Sequence, residues 1–124
     1  MLTYIEPDKE HLEAVRAHGY EGPVVMLNLL RFDTHNDDES RFNTYAEEVM
    51  PLLAERGAEI VYAGTAAGTV IGGETWDRVI LVRYPTKIAY LEMIESDAYR
   101  AVTHHRTQAL LNSRLYMTIP ADDS

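Results

Sequence analysis

The chain's apolar positions change period along its length. From Val24 to Phe32 they run almost unbroken as VVMLNLLRF, rich in β-formers and too short for a helix of its own, which predicts a buried central strand. Asn28 is the polar residue in its interior. Upstream, Leu12 and Val15, with Ala14 beside them, fall on one side of the stretch from Asp8 to His18. Asp8 is a suitable N-cap and Gly19 a stop, so a short leading helix is expected there. Downstream, Phe42, Tyr45, Val49, Leu52 and Leu53 recur at helical spacing as far as Arg56-Gly57. Pro51 lies inside that pattern and is expected to kink or divide the helix, because proline removes a ladder bond and crowds the preceding turn.

The second half mixes periods. Glu59 to Ile71 is β-prone at both ends, and Gly64, Ala66, Ala67 and Gly68 between them predict a bulge or a strong bend. Gly72-Gly73 then predicts the turn of an antiparallel hairpin whose second strand runs from Trp76 to Tyr84. Thr86 can cap a helix carrying Ile88, Leu91, Met93 and Ile94, and Ser96 or Asp97 can cap another through Ala98 to Leu111. Asn112 or Ser113 is expected to break it, Leu115 to Ile119 to form a short strand, and residues 120–124 to be a disordered tail. After the leading helix the order is β-α-β-β-α-β, an α+β fold of the ferredoxin-like kind with helices on one face of a four-stranded antiparallel sheet. Apolar residues on both faces of the strand at 24–32 imply that the second face is buried too, and a homodimer supplies the cover.

Composition narrows the partners more than the fold. At 124 residues there is room for a single domain, with a core at about 23–119 and a helical extension at about 8–18. Twenty acids against 11 bases give a net charge of −9, which argues against a surface for nucleic-acid phosphates. Cysteine is absent, removing disulfides, thiolate nucleophiles and cysteine-ligated metals from consideration. No apolar run is long enough to span a bilayer, and the N-terminus lacks the basic and apolar blocks of a signal peptide, so no membrane partner and a cytoplasmic location are expected. Asp33, His35, Asp37 and Asp38 lack the turn glycine and distal glutamate of a calcium loop, so Asp33 to Ser40 reads as a solvated loop and no metal is expected. The glycines at 64, 68, 72 and 73 lack the Lys-Ser/Thr of a phosphate loop, and no cofactor is expected.

Four segments, PVVMLNLLRF, ERGAEIVYAG, WDRVILVRYP and YLEMIESDAYRAVTHHRTQALLNSRLYM, in this order and spacing, resemble the dimeric α/β-barrel superfamily and, within it, an uncharacterised domain-of-unknown-function family. The resemblance covers roughly residues 23–119. It implies a homodimer with sheets packed back to back and a pocket in each subunit between sheet and helices. It supplies no reaction, because the scaffold hosts cofactor-independent oxygenases, lactone isomerases, haem enzymes and plain binders.

Six residues are candidates for lining that pocket: Asn28, Tyr45, Tyr62, Trp76, Arg83 and His104. A buried amide such as Asn28 needs partners, either a ligand carbonyl or oxyanion or a structural hydrogen bond. Trp76 could stack on a planar ligand or anchor the dimer interface. Arg83, like Arg31, could meet a carboxylate or enolate, or one of the chain's acids. Eight tyrosines against two phenylalanines, Tyr45, Tyr62, Tyr84, Tyr90 and Tyr99 among them, put more hydroxyl inside than packing needs. His104 and His105 point about a hundred degrees apart on a helix, so at most one reaches a pocket. The resemblance to haem-degrading members would cast Asn28, Trp76 and His104 together, while the resemblance to the uncharacterised family makes Arg106 the match of a residue usual there, one that would tie the last helix to the sheet or bind an anion. The expectation is a small-molecule binder, extending to a cofactor-independent oxygenase or isomerase of a small aromatic or enolisable ligand. A non-catalytic dimeric accessory module is the alternative, with haem binding as a third reading.

Overall fold

A computed structural model of the chain describes residues 2–32 and 38–121. The acidic stretch 33–37, and with it the expected solvated loop there, lies outside them, as do residues 122–124 of the expected tail. The elements are α1 (Lys9–Ala17), β1 (Val24–Arg31), α2 (Asp38–Glu55), β2 (Glu59–Thr65), β3 (Arg78–Tyr84), α3 (Lys87–Ile94), α4 (Asp97–Ala109) and β4 (Asn112–Thr118). The strands form one antiparallel sheet in the order β2-β3-β1-β4, so β1 is central as its unbroken apolar run requires. This is the ferredoxin-like α+β fold, with α1 as an addition at the N-terminus. Val24 pairs with Tyr84, Met26 with both Val82 and Met117, and Leu30 with Arg78 and Ser113. The core lies between this face of the sheet and the helices, with Val24, Leu30 and Leu91 fully enclosed.

Local signals account for the helix starts. Asp8 caps α1 by accepting from the Glu10 amide at 3.0 Å, Thr86 caps α3 by accepting from Ala89 at 3.1 Å, and Ser96 caps α4 by accepting from Tyr99 at 3.1 Å. The leading helix is held by a buried lysine. Lys87 Nζ donates to the Arg16 carbonyl at 2.8 Å and to the carbonyl of His18, capping the C-terminal end of α1. Arg16 adds an ion pair to Glu95 at 2.8 Å.

Four expectations are corrected. Residues 38–40 belong to α2 rather than to a loop, so the helix begins ahead of its first buried apolar side chain, Phe42. Pro51 does not divide α2, which runs as a single helix through it. Proline is on the solvent side, where water can satisfy the Glu47 carbonyl it leaves without a donor, while Val49 and Leu53 anchor the opposite side in the core. The β-prone stretch at 69–71 is not strand. β2 stops at Thr65, its irregularity falls between Ile60 and Tyr62 rather than at the glycines, and β3 starts at Arg78 rather than Trp76. Val70 and Ile71 are 96% and 95% exposed, because propensity forms no strand where no neighbour offers ladder bonds. Finally, Asn112 and Ser113 do not break α4 but are the buried first residues of β4, where their side chains bind backbone, as described below.

Pro51→Ala restores the missing amide in a helix that is already continuous. It should raise stability by roughly 1–3 kcal/mol in chemical denaturation. An unchanged or lowered midpoint would show that α2 depends on the proline.

Candidate functional site

Strand alternation divides the sheet into two unlike faces. Val24, Met26, Asn28 and Leu30 of β1, with Ile80, Val82 and Tyr84 of β3, face the helices. Val25, Leu27 and Leu29 face the other way, in register with Arg83, Leu81 and Val79 of β3 and with Thr118, Tyr116 and Arg114 of β4. On edge strand β2, Tyr62 pairs with Leu81 and lays its ring over Gly64, where a Cβ would come within 2.4 Å of the tyrosine hydroxyl. None of the described helices covers this open face, and its apolar side chains are left partly exposed.

On the helix face the core is in two pieces. One gathers Val24, Met26, Val49, Leu53, Val82, Tyr84, Tyr90, Leu91 and Met93; the other gathers Leu30, Phe32, Phe42, Ala109 and Leu110. Asn28 stands on β1 between Met26 and Leu30, at the junction. Its register partner Ile80 and the ring of Tyr45 touch both pieces. The junction is a polar seam. Asn28 Nδ2 donates to the carbonyls of Met26 and Ile80, both at 3.3 Å, so half of the amide is committed to backbone. Its Oδ1 has no hydrogen bond among the described residues. The hydroxyls of Tyr45 on α2 and Tyr99 on α4 are 2.9 Å apart, their rings meeting edge to face with centroids 6.3 Å apart. Arg106, seven residues beyond Tyr99 and therefore on the same side of α4, is buried and donates from Nη1 to the Ile5 carbonyl at 2.7 Å.

Burial sets the protonation of this region. The Tyr45 hydroxyl is held well above the usual tyrosine range, first by desolvation and then by the adjacent Tyr99 hydroxyl, while the Arg106 charge pulls the other way. Tyr84 and Tyr90, whose rings pack edge-on at 5.2 Å, are likewise raised chiefly by burial, with Arg106 again opposing the rise at Tyr90. These phenols are therefore neutral at physiological pH. They can donate a hydrogen bond or stabilise negative charge that develops on a bound oxygen, but they are poor bases.

The six candidates are not brought together. Asn28 and Tyr45 belong to the seam. Tyr62 and Arg83 lie on the open face of the sheet, Arg83 in register between Val25 and Glu59. Trp76 lies in the 66–77 connection and stacks on the guanidinium of Arg114 at 5.1 Å, with Tyr4 on that same group at 4.9 Å. Glu74 completes the arrangement by pairing with Arg114 at 2.9 Å. His104 is exposed on α4 with its ring 3.9 Å from that of His105, which pairs with Glu48 at 3.4 Å. Asn28, Trp76 and His104, the set a haem-degrading arrangement would need, thus occupy three separate environments. Near Trp76 an open cup runs along Gly68 to Glu74, without convergent polar groups. Among the described residues no group of His, Asp and Glu is arranged to hold a metal ion. The seam contributors missing from the six are Tyr99 and Arg106, and the spacing of seven on one helix is the signal that pairs them.

A family model described as a domain of unknown function, DUF1330, matches residues 31–117. Among solved structures, a protein of unknown function from Rhodopseudomonas palustris is 31% identical over 96% of this chain and 98% of its own, with a TM-score of 0.88. A dimeric ferredoxin-like protein of unknown function from Thermobifida fusca is 10% identical, covering 84% of this chain and 96% of its own at a TM-score of 0.56. A putative antibiotic biosynthesis monooxygenase from Caulobacter crescentus is 13% identical, covering 90% and 98% at 0.58. At those two lower identities the likeness is one of fold alone. No curated protein matches the chain.

The raised tyrosines make a pH prediction. Because the folded state resists ionising Tyr45, Tyr84 and Tyr90, their contribution is intact below pH 10, the unfolded value, and is lost as pH climbs from there towards the folded values. Stability should fall steeply above pH 10, by up to about 1.4 kcal/mol per pH unit for each such tyrosine. Tyr84→Phe should flatten the slope by about one proton. A slope indifferent to that change would place the titration elsewhere.

Proposed function

The chain belongs to the DUF1330 family within the dimeric α/β-barrel superfamily, and on that premise we propose that it is a homodimer binding a small aromatic or enolisable molecule in the seam between sheet and helices. The observation that carries this reading is the interruption of the core at Asn28. A domain of this size gains stability from continuous apolar packing, and a part-buried amide, a part-buried phenol pair and a buried guanidinium on the helix side of the sheet forfeit part of it. Polar groups converging from β1, α2 and α4 amid aromatic rings are the composition of a ligand site.

The homodimer is supported by the open face of the sheet, where Val25, Leu27, Leu29, Val79 and Leu81 form a continuous apolar surface bordered by Tyr62 and Tyr116. Two copies placed sheet to sheet bury it on each other. In this reading Tyr62, Trp76 and Arg83 serve the interface or its rim.

A second reading, a cofactor-independent oxygenase or isomerase, is favoured by the Tyr45–Tyr99 hydroxyl pair. Neutral donors beside a bound enol would stabilise the enolate, the step both chemistries share. The putative monooxygenase of like fold is consistent with it. The accessory-module reading keeps the dimer and dispenses with the ligand.

Sedimentation should find the protein at twice 14.1 kDa, and Leu81→Glu at 14.1 kDa with unchanged far-ultraviolet circular dichroism. A wild-type monomer at micromolar concentration would refute the dimer. Titration with 1-naphthol should give saturable binding that Tyr99→Phe weakens by about threefold to tenfold, the worth of one hydrogen bond. Absence of binding would favour the accessory module.

A further inference from the structure

Arg106 is a buried cation with almost nothing to hold. It is 8% exposed, and its one hydrogen bond runs from Nη1 to the neutral carbonyl of Ile5. Arg16, Arg56, Arg78, Arg100 and Arg114 each pair with a carboxylate, although all lie nearer the surface. Three carboxylates of the packed helices α2 and α4 are engaged elsewhere: Glu48 with His105, Asp97 with Arg100 and Glu39 with Arg78. Arg106 has no carboxylate partner among the described residues. A buried charge without a counter-charge is costly, and native structures ordinarily pair it.

The hydroxyls near it are not fully used either. Of the two hydroxyl hydrogens of Tyr45 and Tyr99, one is spent between them, and neither phenol oxygen has another partner among the described residues. Arg106 retains Nη2 and Nε, the edge of the guanidinium that grips a carboxylate with two parallel bonds. Neither of these nitrogens has a hydrogen bond among the described residues. The Ile5 carbonyl, meanwhile, fixes the guanidinium's orientation from the opposite edge.

We infer that Arg106 is an anion-binding residue and that the seam's ligand carries a carboxylate, gripped by the free edge of the guanidinium with the spare tyrosine hydroxyl donating to the same group or to a neighbouring oxygen. The inference rests on the seam being a ligand site and names the chemical class of that ligand. Surrounding rings, Tyr45, Tyr84, Tyr90 and Tyr99, favour an aromatic or otherwise planar carboxylic acid. The Leu2–Ile5 segment, held at Ile5 by this same arginine, forms part of the wall.

Calorimetric titration of the full chain with benzoate and with benzyl alcohol, its neutral counterpart, tests this. The wild type should bind benzoate at least about tenfold more tightly, and Arg106→Gln should abolish that preference while retaining benzyl alcohol binding. The Nε–H resonance of Arg106 should shift and saturate with benzoate. If Arg106→Gln does not fold, the wild-type preference and that resonance decide alone. Equal affinity for the two probes, a preference surviving in Arg106→Gln, or an Arg106 resonance indifferent to benzoate would overturn the inference and leave the seam as a site for neutral ligands. Failure of both probes to bind would overturn the ligand reading along with it.

Discussion

The apolar character of β1 on both of its faces is the constraint on which the rest of this structure depends. Its even-numbered side chains are covered by α2, α3 and α4, and its odd-numbered ones present Val25, Leu27 and Leu29 to the side that no helix covers. A strand flanked on both edges and apolar on both faces leaves the sheet with one surface packed on helices and one partly exposed, the surface to which the proposed dimer assigns a role.

The buried polar residues show how the N-terminal extension is attached to that sheet. Lys87, Arg106, Asn112 and Ser113 are the buried polar or charged residues among those described, and each binds backbone between Leu2 and His18. Lys87 closes the end of α1. Asn112 accepts from the Tyr4 amide at 2.9 Å and donates to the Leu2 carbonyl at 3.2 Å, while Ser113 donates to the Tyr4 carbonyl at 2.6 Å. The extension is thus tied to the start of the outer strand β4 through side-chain bonds rather than ladder bonds. Arg106 is the member of this set for which a single backbone carbonyl is a poor match to the charge it carries.

The seam and the extension meet at that arginine. Tyr45 and Tyr99 pair on the helix side of the sheet, and Ile5 reaches Arg106 from the N-terminal extension, so elements from both ends of the chain meet there. Tyr45, raised by burial, supplies a neutral donor, and the arginine supplies charge. A neutral donor beside a positive charge is the set that the proposed carboxylate ligand would use.

The element order, the central position of the strand at 24–32, the caps at Asp8, Thr86 and Ser96 and the unusual status of Asn28 were legible in the sequence, because each depends on residues adjacent in the chain or repeating at a fixed period. Where several local signals agreed, the element formed. Pro51 and the stretch at 69–71 misled because their outcome depends on neighbours in space: burial of Val49 and Leu53 carries α2 through the proline, and the lack of a strand beside Val70 and Ile71 leaves them as loop. The same distinction governs the site. Residue type nominated Asn28, Tyr45, Tyr62, Trp76, Arg83 and His104 alike, but which face of the sheet or helix each occupies is decided only when strands are in register and helices are packed. By itself the sequence determined the inventory of strands, helices and polar exceptions. Tertiary structure alone decided that Tyr99 and Arg106 join Asn28 and Tyr45, while Tyr62, Trp76 and His104 do not, because proximity across a fold is set by packing and not by spacing along the chain.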